Sequence, residues 1–176
     1  NQDTDSIEDF DIHTPLSIIG AGATSSIIDG GVPGPGSPPT AVGMDRLFEI
    51  HPTAGNVTFK DVTLREGFTI GDGAAIQNWS PGLLKLENVQ VLKNLAGGTG
   101  GGINNDNPAN YLWATLPTIM PKSGRVEIKN STFSGNAAAT GAAIHNAGGG
   151  TVAISANSQI VDNPGQMIPN PLEPES

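Results

Sequence analysis

The sequence contains no cysteine, which excludes disulfide scaffolds, thiolate metal sites and thiol nucleophiles, and leaves the redox compartment open. Charge is sparse: Asp, Glu, Lys and Arg make up 14% of the chain, and 8 basic residues against 17 acidic ones give a net charge of −9. The basic residues are scattered, so no positive stripe for a phosphate backbone exists and nucleic acid is not an expected partner. Aromatics are 5% of residues, and no apolar run approaches the ~20 residues of a membrane span. The chain opens on Asn1 without a signal-peptide pattern, so the expectation is a processed or excised piece of a longer product.

What is abundant is turn-forming residues, with 24 Gly and 14 Pro among 176 residues. That content rules out a helical bundle, while 36% hydrophobics, many of them Val, Ile and Leu, rule out a disordered tail. The length suits one body with a thin aliphatic core reached through many turns.

A motif recurs three times, as Gly73-Ala74-Ala75-Ile76-Gln77-Asn78, Gly101-Gly102-Ile103-Asn104-Asn105 and Gly141-Ala142-Ala143-Ile144-His145-Asn146. A second motif follows each copy: two alternating apolar positions, then Asn, an apolar residue and a second Asn at fixed spacing. Its copies start at Leu84-Lys85-Leu86, Val126-Glu127-Ile128 and Val152-Ala153-Ile154, with a looser one at Val57-Thr58-Phe59. Short alternating segments separated by Gly and Asn turns read as strands. Three such strands per period, with the same side chains returning, predict an all-β protein. The expected fold is a right-handed single-stranded parallel β-helix of about five coils over residues 1–163.

The earliest coil is Asp9 to Gly30, since Phe10-Asp11-Ile12-His13 aligns with Phe48-Glu49-Ile50-His51 and Leu16-Ser17-Ile18 with Val57-Thr58-Phe59. Four inward columns are expected. They are Val57, Leu84, Val126 and Val152; Phe59, Leu86, Ile128 and Ile154; Leu64, Val91, Phe133 and Ile160; and Ile50, Ile76, Ile103 and Ile144. Asn78, Asn105 and Asn146 are expected to stack at a corner. Two insertions, 31–45 and 106–123, interrupt the coils, and the Pro-rich segment 164–176 reads as a tail or linker. The glycines of Ala96–Gly102 read as a corner, because no helix start or Lys-Ser/Thr pair follows them to make a phosphate cradle.

The run Leu16-Ser17-Ile18-Ile19-Gly20-Ala21-Gly22 to Ile27-Ile28-Asp29-Gly30, with Asp45-Arg46-Leu47-Phe48-Glu49-Ile50 and the Gly-Ala-Ala-Ile-x-Asn and Ile-Lys-Asn-Ser-Thr-Phe-Ser-Gly-Asn blocks, resembles bacterial exported right-handed β-helix proteins. These are the pectin-lyase-like repeats of polymorphic outer-membrane proteins and of CSLREA-type surface proteins. The resemblance covers residues 9 to 163. It implies a secreted or cell-surface location and a usually non-catalytic role, in a family that also holds adhesins, fibres and polysaccharide-active enzymes.

A lyase or hydrolase on this fold needs clustered carboxylates on one outer face. Here Asp61, Glu66, Asp72, Glu87 and Glu127 fall in different columns, with Glu87 between Lys60 and Lys129 and Lys85 beside Glu127, as charge pairs of a solvated face. No catalytic residue and no cofactor is expected. One patch stands apart: Asp11, His13, Glu49 and His51 would share a small square on adjacent coils, with metal-ligating chemistry. The reading preferred for it is two surface carboxylate–histidine pairs, with no tight metal site. His145, three coils away, is too distant to join. The uncharged segment 107–121 carries Tyr111, Trp113, Leu116, Ile119 and Met120, and Trp79 occupies the corresponding turn one coil earlier. These residues form either a lid on the helix flank or a contact patch for a partner or a sugar ring. The expected function is a structural or adhesive extracellular module. Its partners would be copies of itself stacked end to end or flanking domains; the alternative is a β-helix that binds or processes surface polysaccharide.

Overall fold

The computed structural model describes residues 9–31, 46–106 and 123–165. The insertion residues 32–45 and 107–122, with Tyr111, Trp113, Leu116, Ile119 and Met120, lie outside the described residues, as does the tail from residue 166. Among the described residues the structure is all-β, without a helix, so no helix is long and apolar enough to cross a membrane.

The chain lays down its strands in repeated passes. The first contributes β1 (Phe10–Ile12), β2 (Leu16–Ile19) and β3 (Ile27–Asp29), and the second β4 (Phe48–Ile50), β5 (Val57–Lys60), β6 (Thr63–Arg65) and β7 (Phe68–Thr69). The third contributes β8 (Ile76–Asn78), β9 (Leu83–Glu87), β10 (Gln90–Leu92) and β11 (Leu95–Ala96). The fourth adds β12 (Ile103–Asn105), β13 (Arg125–Lys129) and β14 (Thr132–Ser134), and the last β15 (Ile144–Asn146), β16 (Thr151–Ser155) and β17 (Gln159–Val161). Pairing between passes is parallel throughout. It builds three five-stranded sheets, β1-β4-β8-β12-β15, β2-β5-β9-β13-β16 and β3-β6-β10-β14-β17, and a small β7-β11 sheet.

The columns expected in the second and third sheets are all present. Val57, Leu84, Val126 and Val152 stack, as do Phe59, Leu86, Ile128 and Ile154, and Leu64, Val91, Phe133 and Ile160. Members from the inner passes are buried in one apolar cluster, which Ile18, Ile28, Ile144 and Val152 close from the outer passes. Burial fails only at the terminal passes: Ile154 is 49% exposed and Ile160 43%, although both sit in register. Each lacks a further paired strand beyond it among the described residues.

The first sheet corrects the sequence reading. Ile50 stacks on Asn78, not on Ile76, and it is Phe48 that lies over Ile76. Phe10, Phe48, Ile76, Ile103 and Ile144 therefore form one column, and Ile12, Ile50, Asn78, Asn105 and Asn146 the other. Phe48 and Ile50 are both buried apolar residues two positions apart, so alternation alone allows either register. Backbone bonds from Leu47 N–H to Ala74 O (3.0 Å) and Phe48 N–H to Ala75 O (3.1 Å) hold the one observed. The Phe48 ring packs on Phe10 (centroids 5.5 Å) and edge-on against Phe59 (4.8 Å).

Two corners repeat a left-handed residue on successive passes. At one, Asp61, Asn88, Asn130 and Ala156 have φ between 49° and 56°; at the other, Glu66, Lys93, Gly135 and Asp162 have φ between 49° and 68°. Asn side chains tie the passes together. Asn78 Nδ2 donates to Asn105 Oδ1 (2.7 Å) and Asn105 Nδ2 to Asn146 Oδ1 (2.7 Å), the ladder expected from sequence. A second ladder, buried at Asn94 and Asn136, runs from Asn94 Nδ2 to Asn136 Oδ1 and from Asn136 Nδ2 to Asn163 Oδ1, both 2.8 Å, with Gly67 N–H donating to Asn94 Oδ1 (2.9 Å).

Candidate functional site

The outer face of the first sheet carries a closely linked set of polar side chains. Because side chains alternate across a strand, the residues between the two inward columns point outward: Asp11, Glu49, Gln77, Asn104 and His145, one per pass. Glu49, Gln77 and Asn104 are nonetheless buried, with Glu49 only 1% exposed, which departs from the solvated square expected for Glu49. Buried polar groups must be paired, and here they are. Asn104 Nδ2 donates to Gln77 Oε1 (3.0 Å), while Asn104 Oδ1 accepts from Thr99 Oγ1 (3.1 Å) and lies 2.7 Å from His145 Nδ1. Thr99 N–H in turn donates to Asp72 Oδ1 at 2.6 Å, and Thr99 Oγ1, 2.9 Å from the same oxygen, has one hydrogen to share between Asp72 and Asn104. Burial pushes the Asp106 carboxyl above its ordinary range, His145 pulls it back and Asp72 adds to the rise.

At the other end of this face the four residues singled out from sequence do meet. His51 Nε2 lies 2.7 Å from Asp11 Oδ1 and 3.4 Å from Glu49 Oε1, and Arg46 Nη1 holds Glu49 Oε2 at 2.6 Å. Arg46 Nε also lies 3.4 Å from Asp9 Oδ2. The His13 and His51 rings stack with centroids 3.9 Å apart and planes 31° apart. Trp79 meets His51 edge-on at 5.9 Å. The expected carboxylate–histidine pair therefore exists as Asp11 with His51, but His13 stacks on its neighbour's ring.

Trp79 belongs to this cluster, which sequence reading missed. With Ile50 set over Ile76, His51 falls beside Gln77; the observed register, two residues on, sets His13, His51 and Trp79 in line. Spacing gave no signal: Phe48 to Ile76 is 28 and Ile50 to Ile76 is 26, each one residue off the 27 that relates Val57 to Leu84. The convergence of Trp79 with Tyr111 and Trp113 lies outside the described residues.

The acids of the central passes are engaged in local pairs. Glu87 sits between Lys60 and Lys129 as expected and pairs with Lys85 (2.8 Å) and Lys60 (3.4 Å). Hydrogen bonding from Lys85 and Lys60 lowers the Glu87 pKa, and Glu87 raises that of Lys85. Lys85 does lie beside Glu127, but its ion pair goes to Glu87, while Glu127 takes Arg125 at 2.9 Å. Asp61 Oδ1 accepts from Asn88 Nδ2 at 2.5 Å. No family model, no curated protein and no solved structure matches this chain.

Proposed function

We propose that the stacked passes form a right-handed parallel β-helix of about five coils that serves as a non-catalytic structural or adhesive module outside the cell, building fibres by stacking end to end. The observation that carries this reading is the apolar, strand-edged surface at each end of the stack. At one end Phe10 is 65% exposed and Leu16 42%; at the other stand Ile154 and Ile160. These are the outermost members of the inward columns, and their strands are the last in each sheet among the described residues. An unpaired strand edge recruits another strand, and exposed apolar columns gain on being covered.

The two ends also match. Continuing the observed register across a joint sets β15 of one copy beside β1 of the next, β16 beside β2 and β17 beside β3. Val152 then meets Leu16, Ile154 meets Ile18 and Ile160 meets Ile28, so three apolar columns run on without a break. Such a contact is heterologous and builds an open filament. The ion pairs of Glu87 and Glu127 favour this reading over polysaccharide processing, since they leave those carboxylates committed to neighbouring cations. The resemblance to exported bacterial repeat proteins supports the extracellular location.

The test is negative-stain imaging of the purified chain beside Ile160→Asp. Filaments of uniform width in the parent, absent in the variant, are expected. Dispersed particles in both, at any concentration, would contradict the proposal.

A further inference from the structure

We propose that Asp11, His13 and His51 form a binding site for a divalent transition-metal ion of the zinc class, which clamps the first pass of the chain to the second. Asp11 and His13 come from β1 and the residue after it, and His51 follows β4. One donor atom from each of the three lies within 4.8 Å of the others.

Two nitrogens and one carboxylate oxygen are the ligands of catalytic-type zinc sites, which keep a fourth position open. Bonds of about 2.0–2.1 Å in a tetrahedron put donors about 3.3 Å apart. The 2.7 Å between His51 Nε2 and Asp11 Oδ1 must therefore open by about 0.6 Å, and no separation within the 4.8 Å bound has to close by more than about 1.5 Å. His13 is exposed, so rotation of its ring supplies that movement without disturbing the core.

The surroundings favour a cation. Glu49, buried and held by Arg46, brings its other oxygen to within 3.4 Å of the same His51 nitrogen, so a second carboxylate beside the ion adds to the attraction for positive charge. The His13 and His51 rings lie with centroids 3.9 Å apart, so that one ring nitrogen of each can turn its lone pair toward a shared ion. Trp79 shields one edge of His51. Nitrogen donors select zinc, nickel or copper over calcium and magnesium, which require oxygen. His145, at the far end of the same face and bonded to Asn104, takes no part.

Binding also stabilises the fold, because the ligands come from two passes and the site exists only when those passes are paired. The experiment is isothermal calorimetry of tag-free protein with zinc chloride, alongside thermal melts with and without the metal. The expected result is one saturable site with Kd on the order of 10 μM or tighter, a higher Tm with zinc, and affinity at least about tenfold weaker in His13→Ala and in Asp11→Asn. His145→Ala should bind as the parent does. Circular dichroism of the apo variants confirms that they fold, and His13 is open enough to solvent for its loss to be tolerated. Absence of saturable zinc binding up to 1 mM, unchanged affinity in His13→Ala, or displacement of zinc by an equal concentration of calcium would each overturn the proposal.

Discussion

Ile128 and Lys129 are neighbours with opposite surroundings. Ile128 is fully buried between Leu86 and Ile154, while Lys129 is exposed. Truncating Ile128 to Ala should cost about 2–5 kcal/mol in urea unfolding through lost burial and the cavity left behind, whereas Lys129→Ala should change stability by less than about 0.5 kcal/mol. Equal effects would contradict the facing of β13. Ala156 occupies a left-handed corner, φ 54°, that Asp61, Asn88 and Asn130 fill on the passes before it. Alanine lacks the local side-chain bonds that let Asn and Asp tolerate this backbone. Ala156→Gly should therefore raise stability by about 1 kcal/mol in the same assay, while a loss of stability would mean that the corner opens in solution. Asp29 titrates below its ordinary range, chiefly through the Gly31 N–H and then through Arg65. A lowered carboxyl contributes stability that is present above the unfolded-state value near 3.8 and is lost as pH falls through the folded-state value. Asp29→Asn should accordingly leave a shallower fall in Tm below pH 4; an unchanged slope would show that the bond to Gly31 does not persist.

Among the elements, the strands divide into those legible from sequence and one set that is not. In the second and third sheets each pass repeats its apolar positions at matching offsets, so Val57, Leu84, Val126 and Val152 align without further information. In the first sheet Phe48 and Ile50 are interchangeable to a pattern of period two, and the choice falls to backbone bonds from Leu47 and Phe48 to two alanines. That two-residue difference hid the line of His13, His51 and Trp79. The burial of Glu49, Gln77 and Asn104 was equally illegible, because alternation says which face a residue takes and nothing of what covers that face. The second Asn ladder was visible as a spacing of Asn residues, but its role emerges only from the bonds. Asn136 donates to Val91 O and to Asn163 Oδ1, and accepts from Asn94 through both N–H and Nδ2. Asn136→Ala should cost about 3 kcal/mol, since it strands buried donors and an acceptor together, and hydrogen exchange should quicken at Asn94 N–H. Unchanged protection there would show that water replaces the ladder.

At the scale of the molecule, stability is graded along the stack. Inner passes are covered above and below, whereas terminal ones expose Phe10, Leu16, Ile154 and Ile160, the pattern of a repeat protein whose outermost units fray first. The proposed zinc clamp at one end and the proposed strand addition at either end would both act on those weak passes. The register proposed for the joint specifies which residues meet: Ala153, outward on β16 and paired with Glu127, falls beside Ser17, outward on β2 and paired with Thr58. Within one molecule these two residues are four strand spacings apart, about 19 Å, beyond disulfide reach, whereas across a head-to-tail joint they lie about 4.8 Å apart, inside it. The chain has no cysteine of its own, so a Ser17→Cys, Ala153→Cys double variant reads that contact alone. Oxidised and run on a denaturing gel without reductant, it should give a ladder of covalent oligomers, while each single variant stops at dimer. A double variant that yields nothing larger than the dimers of its singles would contradict end-to-end stacking.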